Sequence, residues 1–262
     1  MQMSLVKKDL PEWIQWLDSC PSTNTWAFSH PATLKHGDVV FTQKQTAGRG
    51  QHGRTWHSPP GVLTASFILD QIPAVQLPKF SLAAGLAAIY AVEDLLPGWQ
   101  GVLRLKWPND VLIDGRKLAG ILCEGRVKGS STRVVVGIGL NRCVDFAQTE
   151  LDTSSVGYAI SLHQVSSIVP DELPLLERLR HYLLQTAALL GSEKTYHKQT
   201  GISALLPALR CRDALLGRPI TLDLGGEQVS GQAAGIDEFG CLLLRLPNGE
   251  LSAFASGHVL WQ

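Results

Sequence analysis

The sequence predicts an α+β fold in which a larger domain of strands and helices precedes a small all-β domain. Two stretches with helical spacing of apolar residues, 78–96 and 171–190, are separated by runs rich in β-branched residues. Near the C-terminus only short alternating segments remain, divided by glycine-containing turns, which is typical of a small β-barrel. We therefore expect two domains, residues 1–212 and residues 213–262.

The composition is that of an ordinary globular protein. Of 262 residues, 45% are hydrophobic and 18% are charged, which is enough to build a sizeable core. Lys+Arg and Asp+Glu both number 23, so no net charge attracts the chain to nucleic acid or to anionic lipid. The five cysteines form no CxxC pair, which fits a reducing compartment, and no run approaches the ~18 apolar residues of a membrane span. We expect a cytoplasmic protein without membrane association.

The first third of the chain contains a short N-terminal element, two strands and a helix. Residues 11–17 are predicted to form a short helix or turn that begins at Pro11. Residues 37–45 alternate like a strand, and the continuous apolar run 62–69 predicts a strand that is buried on both faces. Residues 78–96 form the clearest helix, which Pro97 and Gly98 end.

The middle of the chain predicts a hairpin, a strand and a second helix. Within 102–120, two strands flank the turn at Pro108-Asn109-Asp110, and Asp114-Gly115 forms a second tight turn before the returning strand. Residues 133–139 are β-branched and predict a further strand. Residues 171–190 form an amphipathic helix that we expect to contribute packing only.

Apolar residues show no helical or strand spacing in residues 46–61 (TAGRGQHGRTWHSPPG), which therefore form a loop. We call this segment the Gly/Arg loop. It matches both the dinucleotide fingerprint and a degenerate P-loop, but both motifs require a helix directly after the glycines. A turn and a strand follow instead. Glycines allow close backbone approach, and Arg49 and Arg54 supply positive charge, so we expect the loop to bind an anion by another architecture. A solvated basic turn is the alternative.

Charged and aromatic residues cluster around the hairpin turns. Lys106, Asn109, Asp110 and Lys117 would suit a nucleotide phosphate held with Mg²⁺, although exposed hairpins carry the same residue types. Trp56 and Trp107 each flank a charged motif, where they would either stack on a purine or pack in the core.

Two further patterns indicate either a ligand site or local structure. Ser22, Thr23 and Asn24 precede an apolar segment, so they would cap a helix, contact a ligand, or both. Gly120, Gly137 and Gly139 lie in predicted strands, where they would allow a flat ligand to approach the sheet or would mark bulges.

The residue types also limit the chemistry. The sequence shows no pattern that places a nucleophile beside a base. The eight histidines form no HExxH or similar metal-binding spacing. From the residues alone we expect a cytoplasmic nucleotide-using enzyme without covalent catalysis. We also expect no tightly bound prosthetic group.

The ordered motifs GRGQHGRTWHSP, KWPNDVLIDGRKLAGIL and VVVGIGLN, which follow STN, resemble those of biotin–protein ligases. The resemblance covers nearly the whole chain. It implies a catalytic domain with a mixed β-sheet flanked by helices, akin to class II aminoacyl-tRNA synthetases, and a C-terminal barrel of Src-homology-3 type. It also implies the activity: biotin and ATP form biotinyl-5′-adenylate, and biotin then passes to the acceptor lysine of the biotin carboxyl carrier protein of acetyl-CoA carboxylase.

The resemblance also implies site residues. The biotin-binding residues would be Ser22, Thr23, Asn24, Gln45, Gly48, Arg49, Lys117, Gly120, Gly137 and Gly139. The ATP-binding residues would be Arg49, Arg54, Trp56, Lys106, Asn109, Asp110, Lys117 and Asn141. Among these, Arg49, Asp110 and Lys117 would be catalytic, and Asn109 and Asp110 would hold Mg²⁺.

Two departures from the family pattern matter. Many members begin with a DNA-binding winged helix-turn-helix, whereas only about 20 residues precede Ser22 here, so we expect no specific DNA binding. The Gly/Arg loop has Gln51 and His52 where the best-known members carry two arginines, so we expect weaker retention of the adenylate. A monomer or a homodimer fits the sequence equally. The alternatives are a lipoate– or octanoate–protein ligase and a non-catalytic biotin-responsive binding protein.

Overall fold

The computed structural model describes residues 10–128, 131–149, 158–191 and 202–260. These residues form two β-sheets, one of seven strands and one of five, and the largest hydrophobic cluster contains residues of both sheets. The larger sheet is mixed, because its first two strands pair in parallel and all its other neighbours are antiparallel. The predicted α+β class, with a mixed sheet flanked by helices, is therefore confirmed.

The seven-stranded sheet has the order β1-β2-β3-β7-β6-β5-β4. Its strands are β1 Ile14–Leu17, β2 Val39–Thr42, β3 Val62–Leu69, β4 Arg104–Lys106, β5 Asp110–Ile113, β6 Arg116–Lys128 and β7 Ser131–Asn141. Every residue of β3 is buried, as the continuous apolar run predicts. The hairpin predicted within 102–120 is present as β4, β5 and the start of β6.

The helices cover both faces of this sheet. They are α1 Thr23–Ser29, α2 Leu77–Leu95, α3 Leu162–Val165, α4 Glu172–Gly191 and α5 Ile202–Arg212. Because neighbouring strand residues point to opposite faces, Val40 and Ile68 pack with Ala27 of α1, whereas Phe41 and Phe67 belong to the core that contains α2 and α4. The two long predicted helices are α2 and α4.

The α1 face of the sheet carries small residues in adjacent rows. Thr64 of β3 pairs with Gly139 of β7, which in turn pairs with Gly120 of β6. The next row on the same face is Ser66, Gly137 and Leu122. With few bulky side chains across three strands, this face leaves room for a cleft beneath the N-terminus of α1.

The second sheet has the order β11-β10-β9-β8-β12 and is antiparallel throughout. Its strands are β8 Pro219–Asp223, β9 Gln228–Ile236, β10 Leu242–Arg245, β11 Leu251–Phe254 and β12 His258–Leu260. The predicted small all-β segment is therefore confirmed as an antiparallel sheet. Within the described residues, β11 and β12 are edge strands that do not pair with each other, so the sheet does not close into a barrel. The boundary between residues 212 and 213 stays a prediction.

Two parts of the prediction differ from the structure. Residues 12 and 13 form a turn that begins at Pro11, as predicted, whereas residues 14–17 are a strand and not a helix, because pairing with β2 outweighs the weak local helical pattern. The short helix α3 and the helix α5 were not predicted at all, and α5 contains Pro207, which local rules treat as a helix breaker.

Helix α2 is long and apolar enough to cross a membrane by length and composition. However, 67% of its apolar window is buried inside the fold, where the helix packs against the sheet and α4. Its apolar surface is therefore used in the core, as is usual for a central helix.

Candidate active site

A cleft on the α1 face brings together residues from α1, the Gly/Arg loop and strands β3, β5, β6 and β7. Its cavity has a volume of about 130 Å³. The predicted site residues that line it are Ser22, Thr23, Asn24, Gln45, Arg49, Arg54, Trp56, Asn109, Asp110, Lys117, Gly120, Gly137 and Gly139. An adjoining cavity of about 570 Å³ is lined by Arg54, Trp56, Lys106, Asp110, Lys117 and Asn141, among others. The predicted residues thus meet in one region, although they are far apart in sequence.

The inner end of the cleft is a buried polar cluster. Gln45 Oε1 accepts a hydrogen bond from the backbone N–H of Thr23 at 2.8 Å, and Gln45 Nε2 donates to Ser58 Oγ at 3.1 Å. Asn24 Oδ1 lies 2.5 Å from Ser66 Oγ, which lies 2.7 Å from Thr23 Oγ1. These bonds set the orientation of both side-chain amides before any ligand binds. Ser66 is a member of the cluster that the sequence analysis missed.

Ser22 serves local structure as well as the cleft. Its side chain caps α1 by accepting from the backbone N–H of Thr25, and it also lines the cavity. The capping interpretation of residues 22–24 is therefore confirmed, and it is compatible with a ligand contact.

The strand glycines make room for two side chains of the site. A Cβ at Gly139 would lie 2.3 Å from Trp56 Cε2, and one at Gly137 would lie 2.5 Å from Asn24 Oδ1. A Cβ at Gly120 would lie 3.0 Å from Trp56 Cζ3. The indole of Trp56 thus lies directly on the sheet. Since it fills part of the cleft, the cavity is smaller than the ~300–1,000 Å³ of typical ligand pockets.

The Gly/Arg loop forms a small hairpin with a 3₁₀ turn at Gln51–Gly53, and no helix follows its glycines. Dinucleotide-fold and P-loop phosphate binding are therefore excluded for this segment. Gly50 N–H donates to Arg54 O at 2.7 Å, and Trp56 N–H donates to Gly48 O at 2.9 Å. Gly48 is needed because a Cβ there would lie 2.3 Å from the carbonyl oxygen of Trp56. Arg49 forms an ion pair with Glu124 of β6.

The hairpin β5–β6 brings the predicted catalytic groups into contact. Lys117 Nζ lies 2.6 Å from Asp110 Oδ1 and 5.4 Å from the centre of the Trp56 ring. Asn109 Nδ2 donates to Ile121 O at 2.7 Å, which holds the turn against β6. Asn141 Nδ2 donates to the carbonyl of Lys117 at 3.1 Å and therefore fixes the backbone of that lysine. The ammonium group of Lys117 is thus held at the junction of the two cavities.

Lys106 is a buried cation beside Asp110. Its ammonium group donates to Tyr158 Oη at 3.1 Å, and the residue is 5% exposed. Burial lowers the pKa of Lys106 to about 8; Asp110 opposes this shift, while the positive charges of Lys117 and Arg54 add to it. Lys106 therefore keeps most of its positive charge at neutral pH and loses it in mild alkali. Burial also raises the pKa of Tyr158, which stays a neutral phenol.

The second sheet contributes to the larger cavity, which the sequence analysis did not predict. His258 of β12 lines this cavity, and Arg54 Nη1 lies 3.1 Å from His258 Nδ1. Burial, followed by the positive charges of Arg54 and Lys106, lowers the pKa of His258. Tyr158 and Phe146 also line the cavity. No local motif marks these three residues, so only the folded chain identifies them.

Trp107 is not a ligand-stacking residue. It is buried in the core, and its Nε1–H donates to the carbonyl oxygen of Gly240 at 3.1 Å, which connects the two sheets. Of the two tryptophans considered for purine stacking, only Trp56 lines the cavities.

Besides Asp110 Oδ1, which forms an ion pair with Lys117, two buried polar atoms of the cleft have no hydrogen-bond partner within the described residues. They are Nε1 of Trp56 and Oγ1 of Thr64, both next to the small-residue rows of β6 and β7. Unpaired buried polar atoms are uncommon, and in a cleft they indicate where a ligand supplies hydrogen bonds. The cleft therefore suits a ligand with both polar and apolar parts.

The predicted Mg²⁺ site has one carboxylate. In the described part of the chain no three residues of the His, Cys, Asp or Glu types come together as a metal site. Asp110 lines both cavities and Asn109 one of them. Mg²⁺ bound to a nucleotide usually needs only one or two protein carboxylates besides phosphate oxygens and water. The pair thus fits an ion that arrives as MgATP, but not a resident metal centre.

The chain was compared with known protein families, proteins and structures. Residues 16–141 match the biotin/lipoate A/B protein ligase family, and residues 215–260 match the biotin protein ligase C terminal domain. The bifunctional ligase/repressor BirA of Salmonella typhimurium is 32% identical over 242 residues, which cover 91% of this chain and 71% of that protein. The biotin--[acetyl-CoA-carboxylase] ligase of Paracoccus denitrificans is 33% identical, covering 87% and 92% respectively.

Solved structures agree with the sequence relatives. The biotin protein ligase from Aquifex aeolicus in complex with biotin and ATP superposes with a TM-score of 0.73 at 26% identity, over 94% of this chain and 97% of that one. The fold of this chain and its sequence therefore both match biotin protein ligases over most of the chain's length. This chain belongs to the biotin protein ligase branch of the biotin/lipoate A/B protein ligase family.

Proposed function

We propose that this chain is an ATP-dependent ligase that activates biotin as biotinyl-5′-AMP and transfers the biotin to a lysine of an acceptor protein. The observation that carries the proposal is the position of Lys117, whose ammonium group lies where the polar cleft and the larger cavity meet. Family membership supports the same reaction, since the relative from Paracoccus denitrificans is named a biotin--[acetyl-CoA-carboxylase] ligase.

Biotin is proposed to occupy the cleft with its ureido ring at the buried polar cluster. Ser22, Thr23 and Gln45 present hydroxyl and amide groups whose orientations are already set by internal hydrogen bonds. The tetrahydrothiophene ring and the aliphatic tail would lie along Gly139 and the Trp56 indole, which offer apolar surface. Because the Trp56 indole lies on Gly139 and fills part of the cleft, we propose that it shifts when biotin binds. This pose leaves the carboxylate of biotin directed toward Lys117.

MgATP is proposed to occupy the larger cavity. Trp56 and Asn141 would contact the adenine, and the positive charges of Lys106 and Arg54 would face the phosphates. Asp110, with Asn109, would hold the Mg²⁺ that accompanies the nucleotide. The ion would neutralise charge on the leaving diphosphate.

The chemistry needs no protein nucleophile. The carboxylate of biotin attacks the α-phosphorus of ATP and diphosphate leaves, which produces the mixed anhydride. Lys117 and Arg49 would stabilise the negative charge that develops on the carboxylate and phosphate oxygens; such contacts act chiefly in the transition state. The ion pair with Asp110 holds the Lys117 ammonium in position. The amine of the acceptor lysine then attacks the carbonyl carbon, and AMP leaves.

The partner and the compartment follow from the same proposal. We propose the biotin carboxyl carrier protein of acetyl-CoA carboxylase as the acceptor, because the named relative acts on that enzyme. Five cysteines without a disulfide bond support a reducing, cytoplasmic location. The zero formal net charge supports the absence of specific DNA binding. The five-stranded sheet is proposed to be an open version of the Src-homology-3 barrel.

Mass spectrometry of a carrier domain tests the function. Incubation with the protein, MgATP and biotin is expected to add one biotin to one lysine, with AMP and diphosphate as products. Lipoate and octanoate serve as parallel substrates, and either one reacting in preference to biotin would identify the alternative ligase activity. Biotin binding without diphosphate release or carrier modification would identify a non-catalytic binding protein.

A further inference from the structure

Glu124 contacts two different parts of the site. It lies on β6 in the row after Gly120 and Leu122, and therefore on the α1 face of the sheet. Its Oε1 is the ion-pair partner of Arg49 in the Gly/Arg loop. Its Oε2 accepts a hydrogen bond from Asn24 Nδ2 at 2.9 Å. One carboxylate thus joins the loop to the polar cluster, across 75 and 100 residues of sequence respectively.

The contact with Asn24 determines which end of the amide faces the cluster. Asn24 Nδ2 donates to Glu124 and also to the carbonyl oxygen of Leu122 at 3.2 Å, so both of its N–H groups point toward β6. The Oδ1 atom must therefore face Ser66, whose Oγ lies at 2.5 Å. A carboxylate can only accept here, and this excludes the flipped amide.

The contact with Arg49 determines where the guanidinium lies. The Arg49 side chain is 45% exposed, and the loop that carries it has few other bonds to the sheet. A guanidinium has five N–H donors in a rigid fork. The Nη2 group binds Glu124, so the remaining donors stay available for a ligand in the cleft that Arg49 lines. Without Glu124, the side chain would sample many rotamers.

We propose that Glu124 is a positioning residue of the ligase reaction: it holds Arg49 at the mouth of the cleft and orients the amide of Asn24 inside it. The proposal rests on the proposed function, because it assigns Arg49 and Asn24 to the adenylate and to biotin. Glu124 itself contacts neither reacting group.

Two variants separate the two contacts. Glu124→Gln keeps an oxygen that accepts from Asn24 but turns an amide N–H toward Arg49, so it removes only the ion pair. We expect trypsin to cleave after Arg49 about two- to fivefold faster, as the loss of an exposed ion pair allows, and the adenylate to leave faster by a similar factor. The KM for biotin in diphosphate exchange should change less than about twofold, whereas the kcat should fall by about two- to fivefold, because Arg49 contacts the charge that develops in the transition state.

Glu124→Ala removes both contacts. It should reproduce the faster cleavage and the faster adenylate release, and in addition raise the KM for biotin by about tenfold, since the amide of Asn24 loses a charged partner. The matched control is Asp94→Asn, which breaks the Asp94–Arg178 ion pair on α2 and α4, whose side chains have similar exposure. The control should leave the cleavage rate, the adenylate release, the KM for biotin and the kcat at their wild-type values.

The results distinguish this inference from the proposed function. If the wild-type protein makes no biotinyl-adenylate, the proposed function fails, and the inference falls with it. If the wild type is active but both Glu124 variants match Asp94→Asn, only the positioning role is wrong. Equal increases of the biotin KM in the Gln and Ala variants would also overturn it, because the two contacts would then not be separable. A melting temperature for each variant excludes unfolding as the cause.

Discussion

The two ends of the cleft are built in opposite ways. At the inner end, Ser22, Thr23 and Asn24 are 2–3% exposed, and their side chains are bonded to neighbouring side chains and to backbone groups. At the outer end, the side chain of Arg49 is 45% exposed, and a single ion pair connects it to the sheet. The first end belongs to the folded core, whereas the second is a surface loop.

This difference suits the two ends to different tasks: the inner end to recognising the ligand, and the Gly/Arg loop to closing over it. A buried, fully bonded cluster loses little conformational entropy when a ligand arrives, so it can discriminate one ligand ring from another. A glycine-rich loop with like charges must lose entropy to order, at about 1–2 kcal/mol for each residue fixed. It is therefore suited to cover a ligand and to exclude water from a hydrolysable anhydride. The predictions below test this division.

The largest expected effect is at Lys117, which lies between the two ends. Lys117→Ala should lower diphosphate exchange by roughly a hundredfold or more, because loss of one transition-state contact costs about 3–4 kcal/mol. Biotin should bind somewhat more weakly, because its carboxylate loses a charged contact, and the protein should still show a cooperative melting transition. Arg104→Ala, an exposed cation on β4, is the control. Near wild-type exchange in the Lys117 variant would remove this residue from the mechanism.

The second-largest expected effect concerns the buried polar cluster at the inner end of the cleft. Ser66→Ala removes the hydroxyl that lies within hydrogen-bond distance of Asn24 Oδ1 and Thr23 Oγ1, and it leaves a buried polar atom without its partner. We expect the free energy of unfolding to fall by about 1–3 kcal/mol and biotin to bind more weakly. Urea unfolding and calorimetry measure the two quantities. Ser230→Ala, at an exposed hydroxyl on β9, should change neither quantity appreciably. A Ser66 variant as stable as the control would mean that the cluster is not rigid.

A third prediction concerns the loop. Trypsin should cleave after Arg49 and Arg54 at least about tenfold more slowly once biotin and MgATP are bound, because ordering even one or two residues has a free-energy cost of that size. Biotin alone should protect less, since Gln51 and His52 add less positive charge than two arginines would. Equal cleavage rates with and without ligands would show that the loop does not close.

The smallest expected effect is the pH dependence at Lys106. Its pKa of about 8 means that the positive charge disappears as the pH rises through 8. The KM for MgATP should therefore rise about threefold between pH 7 and 9, whereas Lys106→Met should show a higher KM with no such rise. A flat wild-type profile would contradict a phosphate contact.

The same pKa shift predicts the sign of a stability change. The folded chain releases the Lys106 proton near pH 8, whereas the unfolded chain keeps it up to the ordinary pKa of 10.5. The unfolded state thus binds more protons in this window, and the contribution of Lys106 to stability increases with pH from 8 to 10.5. Comparison of the wild type with Lys106→Met by urea unfolding at pH 7.5 and 9.5 measures it.

The elements with strong local signals could be predicted from the sequence alone. The periodicity of 78–96 and 171–190 predicted α2 and α4, and the apolar run 62–69 predicted β3. The strand that follows the Gly/Arg loop was enough to exclude the dinucleotide and P-loop architectures. The ordered motifs predicted the family. These features could be predicted because the spacing of apolar residues and the preference of certain residues for turns are local properties of the sequence.

The contacts between residues that are distant in sequence could not be predicted, because they depend on how the whole chain packs. Ile14–Leu17 is a strand because β2 lies beside it, and α5 forms although it contains Pro207. The same holds for individual contacts: Glu124 reaches Arg49, and His258 reaches Arg54 across 204 residues of sequence. Local spacing records that a side chain faces a particular side of the sheet, but not which loop or strand covers that side. The partners of the cleft therefore depend on the packing of the whole chain.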